Sequence, residues 1–255
     1  MNFFENLSSY QEYLEIHPLH DLLSIDKDKY GPLDGKVVRE TFYSVNPNLM
    51  EAYSAELDDL IRLHFLLTSR KVTTVLEFGV GKSTAVIDHA LQLNKAKYEN
   101  FVCANLRRTN RFECFSVDNN LDWIDICKEE NETTNVHYHH SECSISTFND
   151  RICTYYDSLP NVCPDFIYLD APDQFISSGD VRNLHTRYSC AVPMAADLLA
   201  WEHYFNPGML IIVDGRGANA RFLKNNFQRN WVYSYADDID QHYFELVEKP
   251  FGWVS

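Results

Sequence analysis

Residues 75–84 read VLEFGVGKST and connect an apolar segment to the start of a helical pattern through two closely spaced glycines. The segment Val72–Phe78 is short and rich in β-branched residues, which is typical of a buried strand. Ser83 or Thr84 can cap a helix whose apolar residues recur at helical spacing through residues 86–93. The stretch therefore predicts a strand and a helix joined by a glycine bend.

The same alternation continues to the end of the chain. Further strands are predicted over 112–117, 136–139, 165–169, 209–213, 231–235 and 242–247. Helical patterns lie over 123–127, 194–205 and 218–227. Because strands alternate with helices, we expect an α/β fold with a mostly parallel seven-stranded sheet and helices on both faces. The last two strands, joined by the acidic turn 237–240, predict an antiparallel C-terminal hairpin.

Residues 1–70 are predicted to form an N-terminal extension and helical cap, with turn signals at 30–32 and 46–48 and an amphipathic helix over 49–67. Residues 71–255 are then one domain, because no repeat or Ser/Gly-rich linker marks a further boundary. An insertion is predicted near 95–111. Its basic residues favour a solvated loop, with a contact to an anionic substrate or partner as the alternative.

Composition limits the classes of function. The chain has 255 residues, is 45% hydrophobic and carries a net charge of −15, which disfavours general nucleic-acid binding. Apolar runs such as Met209–Val213 are far shorter than the ~20 residues of a membrane helix. The first residues lack signal-peptide features, so we expect a cytoplasmic protein with no membrane contact. Seven cysteines without a CxxC pair favour reduced thiols over disulfides.

Acidic residues end four of the predicted strands. They are Glu77, Asp118, Asp170 and Asp214. Any one of them could be an ordinary turn or helix-start residue, since Asp is common at both. In an open α/β sheet, however, ligands bind beyond the carboxyl ends of the strands. The set of four therefore predicts a binding site at this edge.

Two nucleotide-binding motifs match the glycine bend incompletely. A phosphate-binding P-loop needs a glycine where this chain has Leu76, although Gly81, Lys82 and Ser83 fit its end. A dinucleotide-binding fingerprint needs a third glycine where the chain has Thr84. An acid at the end of the preceding strand would also repel a pyrophosphate. These mismatches weaken both interpretations, and the P-loop stays open as an alternative.

The bend resembles motif I of the class I S-adenosylmethionine-dependent methyltransferases, an acid-x-Gly-x-Gly loop often followed by Ser or Thr. Residues 165–172, DFIYLDAP, look like motif IV of that family, and residues 208–214, GMLIIVD, are similar to the fifth strand of its small-molecule O-methyltransferase branch. The resemblance covers roughly Val72–Val247. It implies a Rossmann-like sheet and S-adenosylmethionine as the cofactor.

Nine residues are expected to bind the cofactor on this resemblance. Glycines let the backbone approach a ligand, an acid favours its ammonium and sulfonium charges, and an acid after the second strand suits the ribose diol. The residues are Glu77, Gly79, Gly81, Ser83, Thr84, Asp118, Asn119, Ser141 and Asp170.

The catalytic candidates are groups that could take a proton from an acceptor hydroxyl. They are Asp170, His185 and Asp214, and the long loop 171–189 is expected to act as a lid or binding loop. Asp173, Arg187 and Arg216 are expected to contact the acceptor, where guanidinium groups could clamp a carboxylate or phosphate. For each arginine the alternative is a salt bridge to a surface acid.

No metal site is predicted. In the metal-dependent branch of the family an Asp-Asn pair follows the fifth strand, whereas this chain has Asp214-Gly215, so a divalent cation is not favoured. The histidines of 137–140 lack the further ligands that zinc needs.

We therefore expect methyl transfer from S-adenosylmethionine to a hydroxyl of a small-molecule or carbohydrate-like acceptor. Two alternatives stay open: a nucleotide-dependent transferase or NTPase, and a non-catalytic methyltransferase-like scaffold. The oligomeric state, including a homo-oligomer, is also open.

Overall fold

The computed structural model describes residues 3–7, 9–24, 56–188 and 190–250. Its main sheet has seven strands in the order β3-β2-β1-β6-β7-β9-β8, and only β9, which pairs with β7 on one side and β8 on the other, runs antiparallel to the rest. The strands are β1 (Thr74–Phe78), β2 (Glu113–Asp118), β3 (Val136–His140), β6 (Phe166–Leu169), β7 (Leu210–Asp214), β8 (Trp231–Ala236) and β9 (Gln241–Leu246). This order confirms the predicted mostly parallel sheet with its antiparallel C-terminal hairpin.

Seven α-helices pack around the sheet within the described residues. They are α1 (Tyr10–Ile16), α2 (Leu19–Leu22), α3 (Leu57–Ser69), α4 (Lys82–Asn105), α5 (Leu121–Glu130), α6 (Asp197–Trp201) and α7 (Gly217–Asn226). Alternate residues of β1 point to opposite faces, as the pleat requires. Val75 packs with α3 and α4, and Leu76 packs with α6 and α7. The prediction of helices on both faces is confirmed.

A two-stranded hairpin, β4 (Cys143–Phe148) and β5 (Arg151–Tyr156), forms a second sheet that the sequence analysis did not predict. Its connection is Asn149-Asp150, and both residues have positive φ, 47° and 61°. A two-residue turn of this kind is the usual connection of a tight hairpin. Cys143, Cys153 and Tyr156 pack into the same core as α6 and α7, so the hairpin helps to cover that face.

The predicted loop over 95–111 is wrong for most of its length, because α4 continues to Asn105. At 1.5 Å per residue, a 24-residue helix is ~36 Å long. Its length explains why Glu77 and Asp118 lie so far apart in sequence. Lys97 lies over the ring of its neighbour Tyr98, with 5.3 Å between the ammonium and the ring centroid. Lys95 and Lys97 thus lie on a helix, whereas Arg107, Arg108 and Arg111 follow its end.

The N-terminal helices α1 and α2 pack on α3 and α4, which cover one face of the sheet. The predicted helix over 49–67 is α3, and residues 49–55 and both N-terminal turn signals lie outside the described residues. Leu14 and Leu19 of α1 and α2 contact a cluster that includes Ile61 of α3 and Val86 of α4. Because α3 also packs on the sheet, the extension over 1–70 as a separate cap remains a prediction.

Four of the seven cysteines are buried: Cys114, Cys127, Cys143 and Cys153. All seven cysteines are free thiols. Within the described ranges, no helix combines the length and the apolar composition that a bilayer span requires.

Candidate cofactor and active site

The glycine bend lies at the carboxyl end of β1, between Phe78 and the start of α4. Gly79 has a φ of +97°, and a Cβ there would lie 3.2 Å from the carbonyl oxygen of Asp170, so both its conformation and its space require glycine. A Cβ on Gly81 would meet no atom within 4 Å. The bend is therefore packed against β6 at Gly79 and open at Gly81, where a ligand can approach the backbone.

Glu77, at the carboxyl end of β1, lies beneath the bend in the protein interior. Its carboxylate accepts hydrogen bonds from the hydroxyls of Ser83 (2.6 Å), Thr84 (2.8 Å) and Ser116 (2.6 Å), and the residue is fully buried. Burial raises the pKa of Glu77 to about 7, although the three hydroxyls oppose that shift. Three predicted cofactor residues, Glu77, Ser83 and Thr84, thus meet in one bracket that fixes the bend. Their direct contact with a cofactor remains a prediction.

Asp118, at the end of β2, holds the other side of the bend. Its Oδ2 accepts a hydrogen bond from the backbone N–H of Val80 (3.1 Å), and its Oδ1 accepts one from Asn120 (2.7 Å). The residue is only 6% exposed, and burial raises the pKa of its carboxyl to about 6. Each oxygen keeps a further lone pair, so the carboxylate can still accept two hydrogen bonds from a vicinal diol.

Two more predicted cofactor residues lie beside Asp118. The Asn119 amide donates to the backbone carbonyl of Asp173 (3.1 Å) and accepts from its N–H (2.9 Å), which ties β2 to the loop after β6. The backbone N–H of Ser141 donates to the Asp118 carbonyl (3.1 Å), and its hydroxyl accepts from the N–H of Ser158 (2.9 Å). The structure brings these residues together at one edge of the sheet. The side chains of Asn119 and Ser141 hydrogen-bond to the backbone of neighbouring loops.

Arg216 is bound to the first residues of the loop after β6. Its Nε donates to the Asp170 carboxylate (3.0 Å), its Nη2 to the Asp170 carbonyl (2.6 Å) and its Nη1 to the Pro172 carbonyl (3.0 Å). Arg187 similarly donates to the carbonyls of Ser177 (2.7 Å) and Gly179 (2.8 Å). To bind an anionic acceptor, either arginine would therefore have to give up hydrogen bonds that hold the loop after β6. Acceptor contact by either arginine remains a prediction.

Asp214 ends β7 next to Asp170 at the end of β6. The Tyr168 hydroxyl donates a hydrogen bond to its carboxylate. Burial, followed by repulsion from Asp170, raises the pKa of Asp214 to about 6. A carboxylate with this pKa is ionised at neutral pH and is a stronger base than an exposed aspartate. Two of the three predicted catalytic residues therefore lie together.

His185, the third predicted catalytic residue, is half-buried inside the loop after β6. Its Nδ1 accepts a hydrogen bond from the backbone N–H of Arg187 (3.2 Å), and its ring lies edge-on to Tyr188. In the described part of the chain, its hydrogen bonds stay within that loop. Residue Ser178 of the loop also pairs with β4, which anchors this loop to the hairpin. The structure does not bring His185 to the two aspartates, and its catalytic role remains a prediction.

Tyr156 is a candidate that sequence reasoning missed. It is 6% exposed, its ring centroid is 5.6 Å from that of Phe78, and no described residue hydrogen-bonds to its hydroxyl. Burial raises the pKa of this hydroxyl well above its ordinary value. The negative charge of Asp118 raises the pKa further, and the positive charge of Arg216 lowers it. A buried hydroxyl without a partner is rare and indicates a missing ligand or water. Its position at the edge of the sheet fits a ligand bound beside Asp118.

Other predicted features lie away from this edge. Lys82 donates to Glu130 of α5 (2.9 Å) at the surface, so its ammonium is engaged outside the bend. His137 pairs with Glu113 (3.6 Å), whereas His139 contacts Ser158. Among the residues that the structure describes, the one group with metal-ligand spacing is in or next to α3: Glu56, Asp58 and Asp59.

The strand order and the glycine bend together define a Rossmann-like domain of the methyltransferase type, as the sequence resemblance implies. No protein-family model matches the sequence, and no curated protein does so.

Solved structures similar to the chain include three methyltransferases. The O-methyltransferase TomG from Streptomyces achromogenes, in complex with SAM, is 13% identical, with 97% of this chain and 94% of that one covered and a TM-score of 0.41. The O-methyltransferase from Bacillus cereus with SAH is 13% identical (96% and 94% covered, TM-score 0.36). The SAH-bound methyltransferase PaMTH1 from Podospora anserina is 11% identical (96% and 92%, TM-score 0.45). The fold class rests on the strand order of the chain itself.

Proposed function

We propose that this protein binds S-adenosylmethionine at the glycine bend and transfers its methyl group to a hydroxyl of a small-molecule or carbohydrate-like acceptor. The observation that carries the proposal is Asp118. This buried carboxylate bonds the backbone of the bend at Val80 and keeps lone pairs for a ribose diol. A triphosphate in the same position would meet a like charge.

The residues around the bend fit this cofactor chemically. The open space at Gly81 admits a ligand to the backbone, and Asp118 and Asp170 supply negative charge for a molecule that carries an ammonium and a sulfonium. The unpartnered hydroxyl of Tyr156 can hydrogen-bond to the nucleoside part. Arg216 offsets only part of this negative charge, because its Nε pairs with the Asp170 carboxylate, whereas the hydrogen bonds of the Asp118 carboxylate come from backbone N–H groups.

The reaction requires alignment and removal of one proton. S-adenosylmethionine supplies an electrophilic methyl group when it is bound. The chain must hold the acceptor oxygen in line with that methyl carbon and exclude water. Asp214 is the base that the geometry supports best, since its carboxylate lies next to Asp170 and is fixed by the Tyr168 hydroxyl. One of its Oδ atoms would receive the hydroxyl proton as the oxygen–methyl bond forms and the methyl–sulfur bond breaks, with the electron pair of that bond left on the sulfur of S-adenosylhomocysteine.

The charge of the site supports a neutral or cationic acceptor over an anionic one. Asp170, Asp173 and Asp214 lie at this edge, and Arg216 pairs with only one of them, Asp170, whereas Arg187 is bound to backbone carbonyls. The net charge of −15 also disfavours a nucleic-acid partner. A cytoplasmic location and the absence of a membrane partner stay predictions, and a homo-oligomer stays open.

Calorimetry with S-adenosylhomocysteine and with ATP tests the proposal directly. We expect micromolar binding of S-adenosylhomocysteine and no heat with ATP, and Lys82→Ala should leave the first unchanged because Lys82 pairs with Glu130 at the surface. Tight ATP binding that Lys82→Ala abolishes would favour a nucleotide-dependent transferase or NTPase. No heat with either ligand would favour a non-catalytic scaffold.

Tyr156→Phe should weaken S-adenosylhomocysteine binding about fivefold without loss of thermal stability. The hydroxyl has no partner in the described protein, so its removal takes nothing from the fold, whereas one lost hydrogen bond to a ligand corresponds to ~1 kcal/mol. Calorimetry and a thermal melt measure the two effects. Tyr155→Phe, at the neighbouring position of β5, is the matched control. An unchanged affinity in Tyr156→Phe would remove this residue from the site.

A further inference from the structure

Three histidines and a tyrosine meet where α1 packs against α3 and α4. The Tyr13 hydroxyl of α1 is 2.7 Å from Nδ1 of His64 in α3, and Nε2 of His64 is 2.9 Å from Nδ1 of His89 in α4. His17, which follows α1, lies with its ring centroid 5.0 Å from that of His64. A single hydrogen-bonded row thus connects three helices that are distant in sequence.

The hydrogen bonds and the burial of this row favour uncharged imidazoles. His64 is completely buried, and its two ring nitrogens both have partners. The arrangement is satisfied when the Tyr13 hydroxyl donates to Nδ1 of neutral His64 and Nε2–H of His64 donates to His89. A further proton on this row would place a positive charge among the other histidines in a poorly solvated position.

The surrounding charged groups offset such a charge only in part, and burial outweighs them. His17 and Tyr13 face His64 from α1, Thr68 lies near Tyr13 on α3 itself, and α4 contributes His89 with Asp88 beside it. Asp88 raises the pKa of His89. Its carboxylate, however, already accepts hydrogen bonds from the backbone N–H groups of residues 134 and 135 and from Gln92.

Burial lowers the pKa of all three histidines, and repulsion from a neighbouring histidine lowers the pKa of His17 and His64 further. Burial is the largest cause in each case, and His89 is the neighbour that acts on both His17 and His64. Because the folded pKa values lie below the unfolded value of about 6.5, the unfolded or detached state binds protons first as pH falls. The stability that the row provides is therefore present above about pH 6.5 and is lost on acidification.

A metal-binding role fits the geometry less well. Within the described ranges, the one group of three ligand atoms close enough to share an ion is that of Glu56, Asp58 and Asp59, so these histidines do not form such a group. Both nitrogens of His64 are also occupied by hydrogen bonds.

We propose that His17, His64 and His89 form a pH-sensitive clasp that docks α1 onto α3 and α4 when they are neutral and releases it when they are protonated. Release would uncover Ala85 and Val86, which the N-terminal cluster covers at the start of α4. These two residues directly follow Ser83 and Thr84, which hold Glu77 beneath the glycine bend. Acidification would thus act on the first turn of α4, independently of whether the proposed cofactor is correct.

Amide hydrogen exchange of the full chain tests the clasp without any ligand. At pH 7.5 and pH 5.5, with rates corrected for the intrinsic effect of pH, we expect the protection of residues 10–16 to fall at least tenfold at the lower pH. The amides of α7 are the internal reference and should keep their protection. The buried carboxyls Glu77 and Asp197, whose pKa values are raised to about 7, stabilise the fold on acidification and so cannot produce the expected loss.

Variants separate titration from packing. His17→Gln combined with His89→Gln keeps polar side chains beside His64 but removes two of the titrating groups, so the pH response of α1 should shrink several-fold. Tyr13→Phe should lower protection at both pH values and preserve the response. His203→Gln, at an exposed position outside the cluster, should behave as the wild type. Equal protection of α1 at both pH values in the wild type, or an undiminished response in the double variant, would overturn the clasp.

Discussion

Asp118→Ala is expected to weaken S-adenosylhomocysteine binding by about 100-fold or more. Two losses combine in this variant. The direct loss is that of two hydrogen bonds from a ribose diol to a carboxylate, each worth ~1.5–3 kcal/mol. The indirect loss is that of the bond from the Val80 N–H, which fixes the bend on which the ligand would lie. A sum of ~3 kcal/mol corresponds to about 100-fold in affinity.

Calorimetry on the purified variant gives the affinity, and a thermal melt shows whether the fold survives. Asp122→Ala is the matched control, because Asp122 is an exposed acid four residues further on, in the first turn of α5. Asp118→Asn distinguishes the two losses. Its amide oxygen can keep one backbone bond, whereas its NH₂ group cannot accept from the diol. If Asp118→Ala folds normally and binds as tightly as the wild type, Asp118 has no part in ligand binding.

The location of this site could be read from the sequence because it depends on chain order alone. Parallel strands end at one edge, so the acids that follow them, among them Asp118, Asp170 and Asp214, had to meet there. The bend at Gly79 could also be predicted from the sequence, since few residues other than glycine tolerate its positive φ.

The partners of these groups could not be read in the same way. Arg216 binds carbonyls that lie more than forty residues away, and Arg187 binds two within its own loop. A hydrogen bond to a backbone carbonyl cannot be predicted from residue types, because every residue has a backbone carbonyl. The choice between a substrate clamp and a loop brace therefore required coordinates.

Two errors in the secondary structure have identifiable physical causes. The charged residues around Lys97 favour a loop by composition, although charged residues are just as common on the solvated face of a long helix such as α4. The hairpin β4–β5 has alternating residues around Asn149-Asp150, a two-residue turn that does signal a hairpin. Tyr156 was missed together with that hairpin.

Glu77→Leu is expected to lower the free energy of unfolding by about 3 kcal/mol or more at pH 5. The hydroxyls of Ser83, Thr84 and Ser116 would each lose an acceptor in a buried position, and an unsatisfied buried group is unfavourable by ~1–3 kcal/mol. Denaturant unfolding measures the change. Glu77→Gln keeps an acceptor oxygen at the same place and should fall well short of that loss. Equal effects of the two variants would contradict the bracket role of Glu77.

The two states of the Glu77 carboxyl make the same site depend on pH. Its folded pKa of about 7 lies above the ordinary value of 4.5, so the folded protein holds this proton while the unfolded chain has released it. The stability that the protonated group contributes is present below pH 4.5 and is lost as pH rises through 7, by ~3 kcal/mol at 1.36 kcal/mol per pKa unit. Glu77→Gln cannot ionise and lacks this loss.

The difference in unfolding free energy between wild type and Glu77→Gln should therefore move by ~2 kcal/mol in favour of the variant from pH 5 to pH 7.5, since part of the change lies outside this range. Comparison within the pair cancels the histidines of the clasp and Asp197, which titrate in both proteins. A constant difference across this range would mean that Glu77 is ionised in the folded protein throughout. The three hydroxyls would then fully compensate its burial, and the bend would rest on a buried charge.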